Sequence, residues 1–153
     1  MQNIKNTVAA LLEGHKVSAP PVRVEDIAED SGVEVVFVDF TEDASEKIHG
    51  YYDHAAKIIV VNSADSAEEK QYTIAHELGH HLMHQEYSAG EKYVARMKFH
   101  VDKPEEREAD EFARRLLLPD AFAPIYCDLF SDKEIRSMFL VTNETLQAAK
   151  KEF

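Results

Sequence analysis

The chain has 153 residues, of which 44% are hydrophobic and 30% charged, and its formal net charge is −12 at pH 7. This length suits one domain with a buried core, and the negative charge argues against nonspecific binding to nucleic acid or to an anionic membrane. The sequence has no apolar run of the ~20 residues that a membrane span needs and no export signal at its N-terminus, so we expect a cytoplasmic protein.

The first part of the chain is predicted to form two helices and a strand. Apolar residues recur at helical spacing over residues 2–13 and predict the first helix. A short second helix is predicted over residues 24–30, before a Ser-Gly pair. The stretch 33–40 is rich in Val and Phe and predicts a strand, and residues 43–46 are expected to form a polar loop.

The middle of the chain predicts two strands followed by a long helix. The strands are expected at residues 50–53 and 57–62, joined by a short turn. A helix is predicted over about residues 67–84, because Ser66 and Glu69 have the spacing of a capping box. An apolar line at every fourth position supports this helix: Ile74, Leu78 and Leu82.

The rest of the chain is predicted to be mainly helical. Residues 93–99 fit either an extra strand or a mobile loop. Pro104 suits the first turn of a helix, which Pro119 would end. Its apolar face follows the helical template: Ala109, Phe112, Ala113, Leu116 and Leu117. A capping box at Ser131 begins the first of two short C-terminal helices, and the single cysteine, Cys127, is expected in or near the core.

Together these elements predict one α+β domain. A small mixed or antiparallel three-stranded sheet would pack on the helix of residues 67–84, with a helical C-terminal part after it. We divide the domain into an N-terminal helix and linker at 1–23, a core at 24–119 and a C-terminal helical subregion at 120–153. The charges of residues 131–153 balance, which argues against a DNA-reading role for this end of the chain.

His76, Glu77 and His80 form an HExxH motif inside the long predicted helix. Residues four apart lie on one face of a helix, so both imidazoles can bind one metal ion. Glu77 lies ~100° round the helix, where a carboxylate can address metal-bound water instead of the metal. The motif therefore predicts a zinc centre of the hydrolase type with Glu77 as general base.

A catalytic zinc normally has a third protein ligand. Met83 and Glu86 occupy the positions where metzincins have glycine and histidine, so that class is excluded. His84 lies about 12 Å along the helix axis from His76, too far to share one ion, and is expected to pack or to support a ligand. His81 points elsewhere round the helix and is expected on the polar surface.

The remaining candidates are acidic residues at the start of the helix after Pro104. Helical geometry places Glu105 and Glu106 equally close to the centre of the apolar face, with Glu108 and Asp110 on its flanks. Geometry alone therefore favours Glu105 and Glu106 equally as the third ligand, and Glu108 less. Acidic residues in the first turn of a helix are also explained without a metal, because carboxylates there interact favourably with the helix dipole.

The stretches from Tyr72 to His84 and from Glu106 to Pro119 resemble the ImmA/IrrE family of metallopeptidases, and the similarity spans about residues 24–145. Members are zincins of the gluzincin type, with the third ligand in a Glu-x-x-x-Asp (or Asn) pattern on a second helix. Only Glu106 and Asp110 match that pattern here. The resemblance implies Glu106 as the ligand and Asp110 as the carboxylate that orients a zinc histidine. Glu108 remains the alternative ligand.

The resemblance also implies a function, which is zinc-dependent hydrolysis of a peptide bond in a specific protein. The implied substrate is a helix-turn-helix transcriptional repressor of stress or mobile-element genes, without direct contact to nucleic acid. The alternative is a non-catalytic or latent zinc-containing module that binds a regulator, as an antitoxin does. The intact motif favours the enzyme, since a degenerate module has little reason to keep Glu77.

Two further expectations concern the substrate and one concerns packing. An extended peptide would add to an edge strand, either residues 50–53 or residues 57–62. The oxyanion of the reaction needs a donor, for which His100, Tyr93 and Tyr51 are the candidates. Gly79 is expected to let a neighbouring backbone approach the motif helix.

Overall fold

The computed structural model describes residues 3–99 and 101–153. Its helices are Ile4–Gly14 (α1), Val24–Asp30 (α2), Glu42–Ser45 (α3), Ala67–Met83 (α4), Gln85–Ala89 (α5), Pro104–Leu117 (α6), Ala123–Leu129 (α7), Asp132–Phe139 (α8) and Asn143–Lys150 (α9). Its strands are Glu34–Val38 (β1), Ile48–Asp53 (β2), Ile58–Asn62 (β3) and Arg96–Met97 (β4). Within these residues no helix has the length and apolarity needed to cross a membrane.

The four strands form one mixed sheet in the order β1-β3-β2-β4. Strand β3 pairs in parallel with β1, while β2 is antiparallel to both β3 and β4. The α+β class is confirmed, but the prediction of three strands is wrong, because Arg96–Met97 adds a fourth. A strand of two residues is too short to show the alternation by which a sequence predicts strands.

The order of the strands also decides which of the two expected strands has a free edge to which a substrate could add. Strand β3 has a partner on each side, so residues 57–62 cannot accept a further strand. Strand β2 pairs with β4 only at Ile48 and Gly50, which leaves its C-terminal half beyond β4 with one free side.

Helix α4 lies at the centre of the molecule and begins at its predicted cap, where the Ser66 side chain accepts a hydrogen bond from the Glu69 N–H at 3.2 Å. It packs against β2 and β3 and against α2 and α6. All residues from Thr73 to His80 are consequently buried, polar ones included. The surrounding core is formed mainly by large apolar side chains: Tyr52, Ile59, Ile74, Leu78, Phe112, Leu116 and Leu117.

Several local expectations differ from the structure. The polar loop at 43–46 is wrong, because α3 forms a helical turn there, with the Thr41 side chain accepting a hydrogen bond from the Ala44 N–H at 3.3 Å. Helices α5 and α7 were not predicted. The neighbour of Gly79 is a side chain and not a backbone, because an added Cβ would lie 3.0 Å from the Phe112 ring. Of the first predicted helix, residue 2 lies outside the described residues.

Candidate metal centre

His76, His80 and Glu106 come together between α4 and α6. The two histidines lie one turn apart on α4, and Glu106 lies in the first turn of α6. One ligand atom from each lies within 4.8 Å of the others, and all three residues are buried. His76 Nε2 is 3.0 Å from Glu106 Oε1, and His80 Nε2 is 2.9 Å from Glu106 Oε2.

The hydrogen bonding at this point leaves one ring nitrogen available for an ion. Although His80 Nε2 lies close to Glu106, it is buried without a properly directed hydrogen bond to any described residue. A buried ring nitrogen without a partner costs free energy, and a bound metal would remove that cost. Two imidazoles and one carboxylate are also the ligand set of a metal site that keeps a coordination position open. The residues present therefore fit a metal ion.

His76 has a second contact that fixes its orientation. Its Nδ1 lies 2.9 Å from Asp110 Oδ1, and this oxygen also accepts a hydrogen bond from the Tyr72 hydroxyl at 2.6 Å. A proton on Nδ1 leaves the Nε2 lone pair free to bind a metal. Burial disfavours the charged ring, but hydrogen bonds to Asp110 and Glu106 outweigh burial and raise the pKa of His76 to about 9. A metal ion must therefore compete with a proton for this nitrogen.

Glu106 and its neighbours on α6 have different partners. Burial opposes the charge of Glu106, but the hydrogen-bonded ring of His76 and the nearby ring of His80 outweigh burial and hold the pKa of its carboxyl well below the usual range. The Tyr87 hydroxyl, which the sequence did not single out, donates to Glu106 Oε2 at 2.8 Å. Glu105 is only partly buried and lines a surface cavity with Tyr87.

His84 and Glu108 form a second pair beside the three converging residues. His84 Nδ1 lies 2.9 Å from His80 Nδ1, and its Nε2 lies 3.0 Å from Glu108 Oε1. Glu108 thus contacts His84, and His84 in turn contacts His80, one of the three converging residues. His81 is not on the polar surface, so that expectation is wrong. Its two nitrogens lie 2.6 Å from the Tyr52 hydroxyl and 3.0 Å from the Ser31 carbonyl oxygen.

Glu77 is completely buried next to this group. Its Oε1 accepts a hydrogen bond from the Tyr93 hydroxyl at 2.6 Å. Its Oε2 is buried without a hydrogen-bond partner among the described residues. Burial raises the pKa of Glu77, although the nearby histidines oppose this effect. A carboxylate with a raised pKa and one free oxygen is suited to accept a proton.

Of the three residues considered as oxyanion donors, only Tyr93 lies at this centre in the described part of the chain. Its ring centroid is 5.9 Å from that of His80, and its hydroxyl also accepts a hydrogen bond from the Tyr52 N–H at 2.6 Å. Tyr51 is partly exposed, with its ring stacked on Phe40 at 6.5 Å between centroids. His100 lies outside the described residues.

A second group with possible metal ligands comprises His49, Asp65 and Glu69. His49 Nδ1 lies 2.7 Å from Asp65, and its Nε2 lies 3.3 Å from Glu69. Both carboxylates already pair with cations, since Arg96 lies 2.9 Å from Glu69 and Lys98 lies 3.3 Å from Asp65. This group is therefore an ion-pair network, and it attaches β4 and the residue after it to the start of α4.

A cavity of about 700 Å³ opens beside His76 and Glu106. Helices α4, α6 and α9 and the chain around β4 form its walls. Its lining carries charges of both signs: Glu69, Arg96, Lys98, Asp110, Arg114 and Glu144. The cavity gives the His76 side of the centre a polar approach from solvent.

Comparison with known proteins supplies a family and a fold. Residues 28–150 match the model of the Peptidase_M78 family, described as the IrrE N-terminal-like domain. A solved structure with a similar fold is that of a Mycobacterium tuberculosis transcriptional regulator, with a TM-score of 0.65 and 16% sequence identity. The likeness covers 95% of this chain but only 45% of the regulator chain. No curated protein matches the sequence.

Proposed function

Because the chain belongs to the IrrE N-terminal-like family of peptidases, the ImmA/IrrE family that its motifs resemble, we propose that it is a zinc-dependent endopeptidase. One observation carries this proposal. The free, buried Oε2 of Glu77 lies beside three converging ligands, His76, His80 and Glu106. A structural metal site would need a fourth ligand and would have no use for an unpartnered carboxylate oxygen.

The proposed reaction divides the work between the ion and the chain. A zinc ion held by His76, His80 and Glu106 would activate water as a nucleophile and polarise the scissile carbonyl group. Glu77 Oε2 accepts the proton of the attacking water and returns it to the leaving amine. In the structure the Tyr93 hydroxyl donates to the other oxygen of Glu77, at 2.6 Å, and Oε2 has no hydrogen-bond partner among the described residues.

We propose a helix-turn-helix transcriptional repressor as the substrate. The resemblance to the ImmA/IrrE family is the main support for this partner. A formal net charge of −12 also suits a partner whose DNA-binding surface is basic, since opposite charges speed the encounter of two proteins. We further propose that the metal-binding core lies within residues 24–119, between the N-terminal segment 1–23 and the helical subregion 120–153.

A second candidate function is a latent or non-catalytic zinc module that binds a regulator. The observation in its favour is the burial of the centre, because Glu77 and His80 have 0% exposure. A protein that only binds its partner needs no path from solvent to these residues.

One experiment separates the two functions. Zinc-loaded wild type and Glu77→Gln are incubated with candidate helix-turn-helix repressors, and cleavage and binding are both measured. Glu68→Gln is the matched control, since it makes the same change in the first turn of the same helix. We expect wild type and the control to cleave and Glu77→Gln to bind zinc without cleaving. A repressor that all three proteins bind equally and leave intact would support the binding module and contradict the peptidase.

A further inference from the structure

Two tyrosines pack against the His80 side of the reacting groups. His76, Glu77 and His80 have exposures of 2%, 0% and 0%. The ring centroids of Tyr87 and Tyr93 lie 5.3 Å and 5.9 Å from that of His80, and 5.7 Å from each other. A peptide bond can therefore reach Glu77 only after some of these side chains move.

The Tyr93 hydroxyl makes two hydrogen bonds that bear on substrate binding. It donates to Glu77 Oε1 and accepts from the backbone N–H of Tyr52, each at 2.6 Å. Strand β2 pairs with β4 at Ile48 and Gly50. Because alternate residues of a strand present their backbone groups to the same edge, the N–H of Tyr52 is the next donor along this edge.

An extended peptide that adds to an edge strand binds through such backbone donors. The N–H of Tyr52 is thus the group that would receive a substrate carbonyl closest to Glu77. In this structure it is already bonded to the Tyr93 hydroxyl, which also donates to Oε1 of the Glu77 carboxylate and leaves Oε2 without a partner among the described residues. The hydroxyl thus occupies the backbone donor that lies beside the proposed general base.

We propose that Tyr93 is an autoinhibitory latch, which a substrate must displace before the peptidase can act. This inference rests on the proposed function, and it concerns the regulation of the same site. Tyr93 belongs to the segment 90–95 between α5 and β4. On either side of Tyr93 the segment is attached by a hydrogen bond from Lys103 Nζ to the Lys92 carbonyl, at 2.7 Å, and by the pairing of Arg96 with Glu69, at 2.9 Å. A short segment fixed at both flanks can release one side chain without unfolding the core.

The latch also explains how a narrow substrate range arises. Hydrogen bonds to an ionised carboxylate are among the stronger ones in proteins, so release of Tyr93 from Glu77 is costly. A short unstructured peptide replaces the lost hydrogen bonds with a single one, from the Tyr52 N–H to its own carbonyl group. A folded partner makes additional contacts over a larger surface, and we therefore expect it to displace Tyr93 more readily.

The first test measures the latch without any substrate. Backbone amide exchange is followed by NMR on the zinc-loaded full chain, for wild type and Tyr93→Phe. We expect the Tyr52 amide to exchange about tenfold faster in Tyr93→Phe, the factor that one lost hydrogen bond supplies. A chelator should also remove zinc several-fold faster.

The matched control is Tyr126→Phe, because Tyr126 lies on α7 and its ring packs on Phe139 at 5.5 Å. We expect no change in either rate for this variant. Unchanged exchange of Tyr52 in Tyr93→Phe would overturn the latch.

The second test uses unfolded casein as an unspecific substrate. If Tyr93 inhibits, Tyr93→Phe cleaves casein about tenfold faster than wild type, and the double variant with Glu77→Gln does not cleave. Slower cleavage by Tyr93→Phe, together with faster exchange of Tyr52, would overturn the proposal and make Tyr93 part of the chemistry. If exchange and zinc release both become faster and neither casein nor any repressor is cleaved by any variant, the peptidase fails and the closure of the site by Tyr93 stands.

Discussion

At the scale of single residues, the two histidines of α4 differ in what holds them. His76 has a carboxylate behind it, at 2.9 Å from its Nδ1, whereas His80 has the neutral ring of His84 at the same distance. Burial lowers the pKa of His84, which keeps that ring uncharged. A carboxylate behind a ligating imidazole makes the imidazole more basic, so we expect His76 to be the more strongly bound of the two ligands.

The role of Asp110 can be tested by its amide. Asp110→Asn keeps the shape of the side chain but removes the negative charge behind His76. We expect the affinity for zinc to fall roughly 10–100-fold, the usual effect of removing such a partner. Competition with a chromogenic chelator measures this affinity. Glu111→Gln, one position further along α6, is the control, and equal affinities of the two variants would contradict the proposed role.

The choice among the acidic residues of α6 has a simple test in metal content. We expect Glu106→Ala to be purified nearly free of zinc and Glu108→Ala to keep it, because Glu108 contacts His84 and lies outside the converging group. Elemental analysis of both proteins after zinc loading and dialysis decides the matter. Full occupancy in Glu106→Ala would show that another residue supplies the third ligand.

The helical period of α6 predicts which face of the helix a side chain occupies, but not its position along α4. The apolar face of α6 limits the candidate ligands to a few residues but does not distinguish Glu105 from Glu106. Their separation depends on how far α6 is shifted along α4, which is set by packing and does not appear in the spacing of either helix. Tyr87 could not be found this way, because it lies in a stretch without a period and acts through a contact to Glu106 at 2.8 Å.

At the scale of elements, Gly50 lets strand β2 lie close to strand β3 and to helix α4. A Cβ at this position would collide with the Val60 carbonyl oxygen of β3 and would lie 2.7 Å from Thr73 Cγ2 of α4. The first atom belongs to the backbone and cannot turn away. The absence of a side chain therefore sets the spacing between the sheet and the helix that carries two of the proposed metal ligands.

Gly50→Ala should therefore destabilise the protein strongly. We expect the free energy of unfolding to fall by about 3 kcal/mol, toward the upper part of the range for overpacked cores. Urea denaturation followed by circular dichroism measures it. Gly14→Ala is the control, since a Cβ there meets nothing within 4 Å and alanine is favoured in a helix. A loss below about 0.5 kcal/mol for Gly50→Ala would contradict the tight packing.

The elements that the sequence predicted well are those with a long period. Helices α4 and α6 end within two residues of their predicted limits, because several turns of apolar spacing and a cap or a proline mark them. The misses are short. Helix α3 is a single turn and α7 has seven residues, so neither repeats its pattern often enough to be recognised. Strand β4 has two residues, and the sequence left its stretch, residues 93–99, open between a strand and a loop.

At the scale of the whole molecule, the proposed metal centre joins α4 and α6, which pack against each other in the core. An ion that binds the folded chain but not the unfolded one adds RT ln(1 + [L]/Kd) to the free energy of unfolding. A metal-free centre keeps a buried nitrogen without a partner, which lowers the stability of the same two helices.

Removal of the metal should therefore lower the melting temperature. With free zinc 1,000-fold above its Kd, stabilisation of about 4 kcal/mol corresponds to roughly 8–16 °C for a domain of this size. Differential scanning calorimetry with zinc and with a chelator gives the difference. Glu106→Ala should melt at the same temperature in both, and a zinc-dependent rise in this variant would place the ion elsewhere.

The position of the proposed ligands along the chain has a consequence for entropy. His80 precedes and Glu106 follows the stretch that contains α5, the tyrosines and β4, so an ion bound to both closes that stretch into a loop. Loop closure removes chain entropy, as a disulfide does, and the ion thereby favours the closed arrangement of everything between the two residues. A partner that loosens the loop must then also weaken metal binding by the same factor, since linkage is reciprocal. Zinc content thus reports on partner binding.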